Sequence, residues 1–234
     1  AAPVAIGSLA LGVGLNNHQD IAVYGHYAYV TAHDVPAIYV IDISNPFTPV
    51  LVNTITVTAP VSIEIQGRYA YVTDDGASGG LAVFDLGNAT GPHLMSRVLA
   101  GTATRDVAVM GRYAYVTNGA KVNVFDISDP LNVLSAGVYV ATDFSPNAIV
   151  AQGGYLYASG LASTYIQVLS ATTTPFLVGY VDLGNSVIPT SPNGLAIQGS
   201  YLFASGEDYA YLKAVDVSVP VSPVVAKTFS ITGG

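Results

Sequence analysis

The sequence predicts an all-β fold, a five-bladed β-propeller of four-stranded antiparallel blades with one surplus outer strand. The phrase GHYAYVT at residues 25–31 recurs as GRYAYVT at 67–73 and 111–117, and more loosely at 153–159 and 199–205. The first tyrosines of the five copies are 42, 44, 42 and 46 residues apart. This period is typical of a four-stranded propeller blade. Apolar residues around each copy alternate with period two, which indicates strands rather than helices.

The first repeat contains four predicted strands, named A to D in chain order. Residues 20–24 are strand A, 25–26 a tight turn, 27–31 strand B, 38–43 strand C and 49–57 strand D. Short turns between sequential strands predict an antiparallel meander. The same order begins again at Ser62, Asp106, Asn147 and Gly194.

The turn between strands C and D has a polar signature in the first repeat, with Asp42, Ser44, Asn45 and Pro46. Side-chain oxygens in such a turn accept backbone N–H groups, and proline fixes φ. The aspartate recurs as Asp85, Asp126 and Asp216 after the C strands predicted at 81–86, 122–127 and 212–217. In the fourth repeat, Ser170 replaces it after a C strand predicted at 166–169.

The D strand has a pattern of its own: a proline followed by apolar residues one, three, six and eight positions later. It fits at Pro3, Pro49, Pro175 and Pro223, less well at Pro92, and at Val133 in place of proline. Six D patterns therefore accompany five A–B–C sets. The surplus copy, residues 3–12, presents Val4, Ile6, Leu9 and Leu11, and the change of parity at Gly7 predicts a bulge.

The surplus strand has four alternative fates. It closes the ring by joining the last blade, forms a five-stranded blade, begins an incomplete sixth blade, or adds to the sheet edge of a neighbouring molecule. Four to six ladder hydrogen bonds at roughly 0.5–1.5 kcal/mol each favour pairing over an exposed apolar edge. The predicted organisation is a surplus strand at 1–12 and a propeller at 13–234, one domain overall.

Composition excludes several classes of partner. The net charge is −8 with only seven Lys and Arg, so there is no basic patch for nucleic acid or anionic membranes. The uncharged stretch 144–181 is broken by Pro and Gly into short alternating pieces, which predicts sheet core and not a membrane span. No cysteine is present, so disulfides and thiolate sites are excluded. The chain starts without Met, as a processed secreted protein or a fragment does.

The repeats carry a family resemblance. Residues 21–30, IAVYGHYAYV, followed by YVIDISNP at 39–46, and their counterparts at 107–116 and 124–130, resemble the LVIVD-repeat β-propeller family. The fourth repeat departs most, because QVLS at 167–170 lacks the aspartate. The resemblance implies an extracellular or envelope-associated interaction module without a catalytic signature.

One predicted loop face is acidic. It carries His18, Asp20, His33, Asp34, Asp74, Asp75, Asp106, Asp143, Glu207 and Asp208. A divalent cation could bind there, with residues 74–76 as its nucleus. We favour a solvated acidic face, because charge of this kind serves solubility and no spaced cation-binding loop is present. No metal or cofactor is therefore expected.

The starts of the A strands are expected to ring the channel mouth, and a small-ligand site there would use His18, Asp20, Arg105, Asp106, Asn147 and Asn193. Turn residues that cap loop N–H groups are the preferred interpretation, because no nucleophile accompanies them. The repeated tyrosines Tyr27 and Tyr29 predict core packing between blades, not carbohydrate stacking. Asn88-Ala-Thr90 is a candidate glycosylation sequon.

The sequence therefore predicts a non-enzymatic protein, extracellular or at the cell surface, that self-assembles into a filament or surface layer. The expected mechanism is pairing of the N-terminal strand with a neighbouring subunit, so the partner is a homo-oligomer or polymer, or else a glycan or another cell-surface protein. The alternative is a lectin-like or small-ligand-binding propeller that uses the channel mouth. A six-bladed fold with one incomplete blade is the alternative architecture.

Overall fold

The computed structural model describes residues 4–11, 18–77, 79–101, 103–184, 192–206 and 211–230, apart from the side chains of residues 18, 19, 192, 193 and 211. The described residues form no helix and build five four-stranded antiparallel sheets. These sheets are the blades of a five-bladed β-propeller, so the predicted fold class is confirmed. Residues 4–11 belong to none of the five sheets.

Each sheet is a meander in chain order, and we keep the names A to D for its four strands. The first sheet is β1 (His18–Tyr24), β2 (Tyr27–Ala32), β3 (Ala37–Asp42) and β4 (Val50–Thr56). The second is β5 (Pro60–Gln66), β6 (Tyr69–Asp74), β7 (Gly80–Asp85) and β8 (His93–Leu99). The third is β9 (Thr104–Met110), β10 (Tyr113–Asn118), β11 (Lys121–Asp126) and β12 (Leu134–Val140). The fourth is β13 (Pro146–Gln152), β14 (Tyr155–Gly160), β15 (Tyr165–Ser170) and β16 (Leu177–Asp182). The fifth is β17 (Pro192–Gln198), β18 (Tyr201–Gly206), β19 (Tyr211–Asp216) and β20 (Val224–Ser230).

The chain groups into two compact units. One comprises residues 1–104 with 129–133, and the other residues 105–128 with 134–234. In the first unit, Tyr29, Val40, Val72 and Phe84 belong to one apolar cluster that joins the first and second sheets. In the second, one cluster joins the third and fourth sheets and another joins the fourth and fifth.

The turn between strands A and B uses glycine in the left-handed region. Gly25 has φ 62°, and Tyr24 pairs with Tyr27 across it. A two-residue hairpin turn with a positive φ at its first central residue matches the twist of the flanking strands, and glycine adopts that φ without steric cost. The tight turn predicted at residues 25–26 is therefore confirmed.

The turn between strands C and D is held by its aspartate, as predicted. The Ser44 N–H donates to Asp42 Oδ1 at 2.8 Å, and the same bond recurs at Asp85, Asp126 and Asp216. In the fourth sheet the Ser170 hydroxyl accepts the N–H of Phe176 at 3.0 Å instead. A hydroxyl thus takes over the acceptor role of the missing carboxylate.

Arginines add to two of these turns. Arg68 forms an ion pair with Asp85, and Arg112 forms one with Asp126. The hydrogen bond from Arg112 is the main reason that the pKa of Asp126 lies well below its usual range, and Arg68 lowers the pKa of Asp85 in the same way. A carboxyl whose pKa is lower in the folded state stabilises the fold above its unfolded pKa.

Every D strand in the five sheets contains a bulge near its start. In the first sheet Ile41 pairs with Leu51 and Val40 with Asn53, so Val52 is the extra residue. The shift recurs in the four other sheets. The bulge explains why the apolar pattern changes parity between the third and sixth positions after the proline.

The second tyrosine of the repeat lies in the core, as predicted for Tyr29, whereas Tyr27 is half-buried and packs against the edge of the same apolar cluster. Tyr29 is buried, and its hydroxyl donates to the Ala89 carbonyl in the C–D turn of the second sheet at 2.9 Å. Tyr115 is also fully buried, but its hydroxyl has no partner among the described residues. The corresponding turn, after β15, is two residues shorter, since Leu169 pairs with Leu177. A shorter turn places no carbonyl where Ala89 has one, which accounts for the unpaired hydroxyl.

The two tyrosines predict opposite effects of the same substitution. Tyr29→Phe removes a hydrogen bond and should lower the free energy of unfolding by roughly 0.5–1.5 kcal/mol. Tyr115→Phe removes a buried hydroxyl without a partner and should leave that free energy unchanged or raise it by about 1 kcal/mol. Urea denaturation of both variants measures this. A loss at Tyr115 equal to the loss at Tyr29 would contradict the assignment.

The Arg112 ion pair predicts an acid-dependent contribution to stability. The pKa of Asp126 is lowered from 3.8 on folding. Arg112→Ala should therefore lower the free energy of unfolding at about pH 6. The difference from wild type should begin to shrink as the pH falls below about 3.8, where the unfolded chain binds the proton, and should be lost only when the pH falls through the lower pKa of Asp126 in the folded protein. Denaturation series across this pH range test it. Lys121→Ala, which breaks no ion pair among the described residues, is the control and should show no such convergence.

Candidate functional site

Residues 4–11, which we call the N-terminal segment, lie against the C–D turn of the first sheet. A β-carbon added at Gly7 would clash with the Pro46 carbonyl oxygen and would also contact the Phe47 carbonyl oxygen at 2.9 Å. Only a residue without a side chain permits this backbone approach. The contact therefore fixes which residue of the segment faces the turn.

Gly7 stands four positions after Pro3, and the same position in other D strands meets the turn of the following sheet. Asn53 Nδ2 donates to the Thr90 carbonyl at 2.7 Å, and Ser96 Oγ donates to the Pro130 carbonyl at 2.7 Å. Gly137 lies against Thr173, and Gly179 lies against Pro220 and Val221, each too close for a β-carbon. The N-terminal segment thus occupies on the first sheet the place that β4, β8, β12 and β16 each occupy on the following sheet.

The leucines of the N-terminal segment also lie where the corresponding residues of a D strand lie. Leu9 and Leu11 are half-buried and pack against the apolar cluster of Val30, Tyr39 and Ile41 in the first sheet. Their counterparts in β4 and just after it, Ile55 and Val57, pack between the first and second sheets. The other two residues of the predicted assembly strand face solvent, with Val4 78% and Ile6 54% exposed. The segment is held by one end only.

A D strand normally also bonds to a strand C, and here the segment differs. No described strand forms a ladder with residues 4–11, and the fifth sheet has four strands, so it gains no fifth strand from this segment. The backbone N–H and C=O groups on both edges of the segment therefore lack partners within the described part of the chain. The bulge predicted at Gly7 has no ladder in which it could appear.

Asp20, a predicted ligand residue, instead joins two sheets. Its Oδ2 accepts the Ser62 hydroxyl and the Ile63 N–H of the second sheet, both at 2.9 Å. Its Oδ1 accepts the N–H of Ile21 at 2.8 Å. The carboxylate thereby satisfies backbone donors where β1 meets β5. We call this arrangement the aspartate clamp.

Asp106 repeats the clamp between the third and fourth sheets. Its Oδ2 accepts the Ile149 N–H at 2.7 Å, and Thr117 Oγ1 donates to the Asn147 carbonyl at 3.1 Å. Asp106 and Asn147 thus both take part in the junction of β9 and β10 with β13, each through a different partner. Arg105 is exposed on β9. The side chains of His18 and Asn193 lie outside the described residues, so a joint site of all six predicted residues stays a prediction.

Asp74 corrects the prediction of a uniformly solvated acidic face. Its side chain is buried, pairs with Arg97 at 2.5 Å and accepts the N–H groups of Gly76 and Ala59 at 2.9 and 3.2 Å. A guanidinium and two backbone N–H groups take the place of water around this buried carboxylate. Glu207 and Asp208, placed on the same face, lie outside the described residues. Among the described residues, no group of His, Asp and Glu is arranged to hold a metal ion.

Lys213 is a buried residue that the sequence pattern did not single out. It lies on β19, and its Nζ donates to the carbonyls of Leu183 and Gly184. Burial lowers the pKa of this lysine, and nearby Asp182 opposes the shift. The sequence contained a signal for the burial of Lys213. Lys213 is the third residue of its C strand, the position that the inward residues Tyr39 and Gln167 occupy in β3 and β15.

Asn88, the candidate glycosylation residue, is exposed in the C–D turn of the second sheet. Its Oδ1 accepts the hydroxyl of Thr90 at 3.1 Å. Glycosylation at Asn88 stays a prediction. Within the described residues, no helix is long and apolar enough to pass through a membrane.

The repeat itself identifies the family. The LVIVD repeat matches at residues 17–57, 61–100 and 101–141, which is more than half of the chain. The chain belongs to the LVIVD-repeat family. The LVIVD matches end before the fourth sheet, whose C–D turn is shortened and lacks the aspartate. No curated protein matches the sequence.

Solved structures similar to this LVIVD-repeat chain have diverse functions. A functionally unknown protein from Desulfotomaculum acetoxidans has a TM-score of 0.79 at 13% identity, over 98% of this chain and 75% of that one. A chain of a nidogen/laminin complex has a TM-score of 0.66 at 14% identity, over 91% and 80%. Hydrazine synthase of Kuenenia stuttgartiensis has a TM-score of 0.67 at 18% identity, over 84% and 64%. Identities this low show the fold alone.

The aspartate clamp predicts a loss of stability that needs no ligand. Asp20→Ala leaves the Ser62 hydroxyl and the Ile63 N–H without an acceptor and should lower the free energy of unfolding by roughly 1–3 kcal/mol. Asp20→Asn keeps one acceptor oxygen and should cost less. Asp34→Ala, at an exposed carboxylate, is the control and should change stability by less than about 0.5 kcal/mol. Denaturant titration measures all three, and an Asp20→Ala variant as stable as the control would contradict the clamp.

Proposed function

We propose that this protein is a non-enzymatic interaction module at the cell surface or outside the cell, and that it self-assembles through its N-terminal segment. In the assembly, residues 4–11 of one copy pair with a strand of a neighbouring copy. The observation that carries the proposal is a D strand without a sheet. The segment fills the D-strand place on the first sheet through Gly7, Leu9 and Leu11, yet it has no ladder partner in the described chain.

Energetics support a partner for the segment. Ordering a residue costs about 1–2 kcal/mol of backbone entropy, and the segment has eight residues. Half-burial of two leucines returns only about as much as full burial of one, roughly 1.5–3 kcal/mol. A ladder of four to six hydrogen bonds at about 0.5–1.5 kcal/mol each, with burial of Val4 and Ile6, supplies the remainder. Pairing with a neighbour therefore stabilises a conformation that the chain alone holds weakly.

The candidate ligand residues give less support to a catalytic or ligand-binding function. The carboxylates of Asp20 and Asp106 accept backbone N–H groups of adjacent sheets. A general acid or base must instead reach a substrate proton. The low proportion of charged residues, 9%, is also favourable for a protein that packs against copies of itself.

The proposal predicts that assembly depends on the N-terminal segment. The full chain should sediment as oligomers or polymers, and removal of residues 1–11 should give monomers, measured by analytical ultracentrifugation and electron microscopy. Ile6→Asp should also reduce assembly, because it places a charge on the exposed part of the segment.

Leu131→Asp is the matched control. Leu131 is 67% exposed in the C–D turn after β11 and takes no part in the proposed contact. This variant should assemble like wild type, and circular dichroism should show that all variants keep their sheets. A monomeric full chain, or an assembly state that is unchanged after removal of residues 1–11, would overturn the proposal.

A further inference from the structure

Two exposed tyrosines contact each other on the fourth sheet. Tyr165 begins β15 and Tyr180 lies on β16, and the two residues are 42% and 60% exposed. Their ring centres are 5.7 Å apart and the ring planes meet at 75°, which is an edge-to-face contact. Adjoining aromatic side chains on a surface form a contiguous apolar patch, and such patches mark sites where a ligand or partner binds.

The tyrosine pair shares one face of the fourth sheet with polar side chains. Across β15 and β16, Tyr165 pairs with Asp182, and Gln167 pairs with Tyr180. Residues that pair directly, and residues two apart on one strand, lie on the same face of a sheet. Tyr139 of β12, in the third sheet, reaches this face, and its hydroxyl donates to Gln167 Oε1 at 3.2 Å. We call these five residues the tyrosine patch.

The other sheets do not repeat the aromatic pair. Tyr180 is the residue of strand D that pairs with the third residue of strand C. In the other four sheets this position holds Thr54, Arg97, Val138 and Thr228. A blade therefore forms without an aromatic ring at this position, so the fold does not require the tyrosine pair. A binding role accounts for its presence.

The patch offers both donors and acceptors of hydrogen bonds. The amide N–H groups of Gln167 donate to no described residue, and a tyrosine hydroxyl can donate or accept. Asp182 Oδ1 accepts the N–H of Gly184 at 2.8 Å. This hydrogen bond, together with one from the Thr164 hydroxyl, lowers the pKa of Asp182. The patch therefore carries a negative charge at neutral pH.

These features fit a neutral sugar better than an ion. The C–H groups of a pyranose ring pack against an aromatic face, and its hydroxyl groups form hydrogen bonds with amides and tyrosine hydroxyls. A cation bound by aromatic side chains lies over their ring faces. Tyr165 and Tyr180 instead contact each other, which leaves no space for a cation between them. An anion is repelled by Asp182, the single charged residue of the patch.

We propose that the tyrosine patch binds a neutral pyranose unit of a glycan, one whose hydroxyl groups are equatorial. The sugar ring stacks on Tyr180, the more exposed ring, and a sugar hydroxyl accepts a hydrogen bond from the Gln167 amide. Tyr165 holds the Tyr180 ring and Tyr139 holds the amide before the sugar arrives, so little side-chain entropy is lost on binding. This inference goes beyond the proposed function, because it uses no residue of the N-terminal segment and does not require self-assembly.

Calorimetric titration of the full chain with cellohexaose tests the proposal. This oligosaccharide is uncharged, and the hydroxyl groups of its β-linked glucose rings are equatorial, which leaves flat C–H faces for stacking. Saturable binding is expected. Tyr180→Ala should weaken this binding about tenfold, as expected for the loss of one aromatic contact. Tyr180→Phe keeps the ring and should bind more tightly than Tyr180→Ala.

Tyr201→Ala is the matched control. Tyr201 is 43% exposed on β18 and is not part of the tyrosine patch. This variant should bind cellohexaose like wild type, and circular dichroism should show that all variants keep their sheets.

Absence of cellohexaose binding, or binding that Tyr180→Ala leaves unchanged, would overturn the proposal. Parallel titrations with acetylcholine and with a decaproline peptide test two other ligands that aromatic side chains bind. If either binds more tightly than cellohexaose and Tyr180→Ala abolishes that binding, the patch serves a cation or a peptide, and the sugar is the wrong ligand. A monomeric full chain that binds cellohexaose would overturn the proposed function and support the glycan site.

Discussion

The contact between a D strand and the C–D turn of the following sheet is the constraint on which the rest of the structure depends. It is made with side-chain donors at Asn53 and Ser96 and with bare backbone at Gly137 and Gly179. Turn carbonyls approach the strand so closely that the residue four positions after the D-strand proline either donates a side-chain hydrogen bond or is glycine. The apolar residues two and four positions later then reach the core of the next sheet. Gly7 obeys this rule, and so residues 4–11 have a defined place although they belong to no sheet.

Much of the fold could be predicted from the sequence, because the repeat encodes local geometry. The A–B turn needs a glycine with positive φ, and the aspartate of the C–D turn needs an N–H two residues on. Some strand bounds differ from the prediction by one residue. Two C strands begin at Ala37 and Gly80, whereas the sequence predicted Ile38 and Leu81 as their first residues. Small residues at strand ends carry no apolar signal, which explains the difference.

Contacts between sheets were less predictable. The aspartate clamp joins Asp20 to Ile63, and the buried pair joins Asp74 to Arg97. Neither spacing belongs to a motif, because the partners meet through the packing of sheets and not through a turn. A carboxylate two residues before a glycine, such as Asp74 before Gly76, has the same sequence pattern whether it faces water or the interior. For this reason the candidate ligand site combined an exposed residue, Arg105, with residues that join two sheets, Asp20 and Asp106.

Position four after the D-strand proline also bears on how such chains change in length. Because the contact runs from one repeat to the turn of the next, a tandem duplication of any single repeat recreates it at the new junction. The copied strand meets the copied turn, and no unmatched surface is left inside the array. A chain of this type can therefore gain or lose whole repeats without losing the contact between neighbouring repeats.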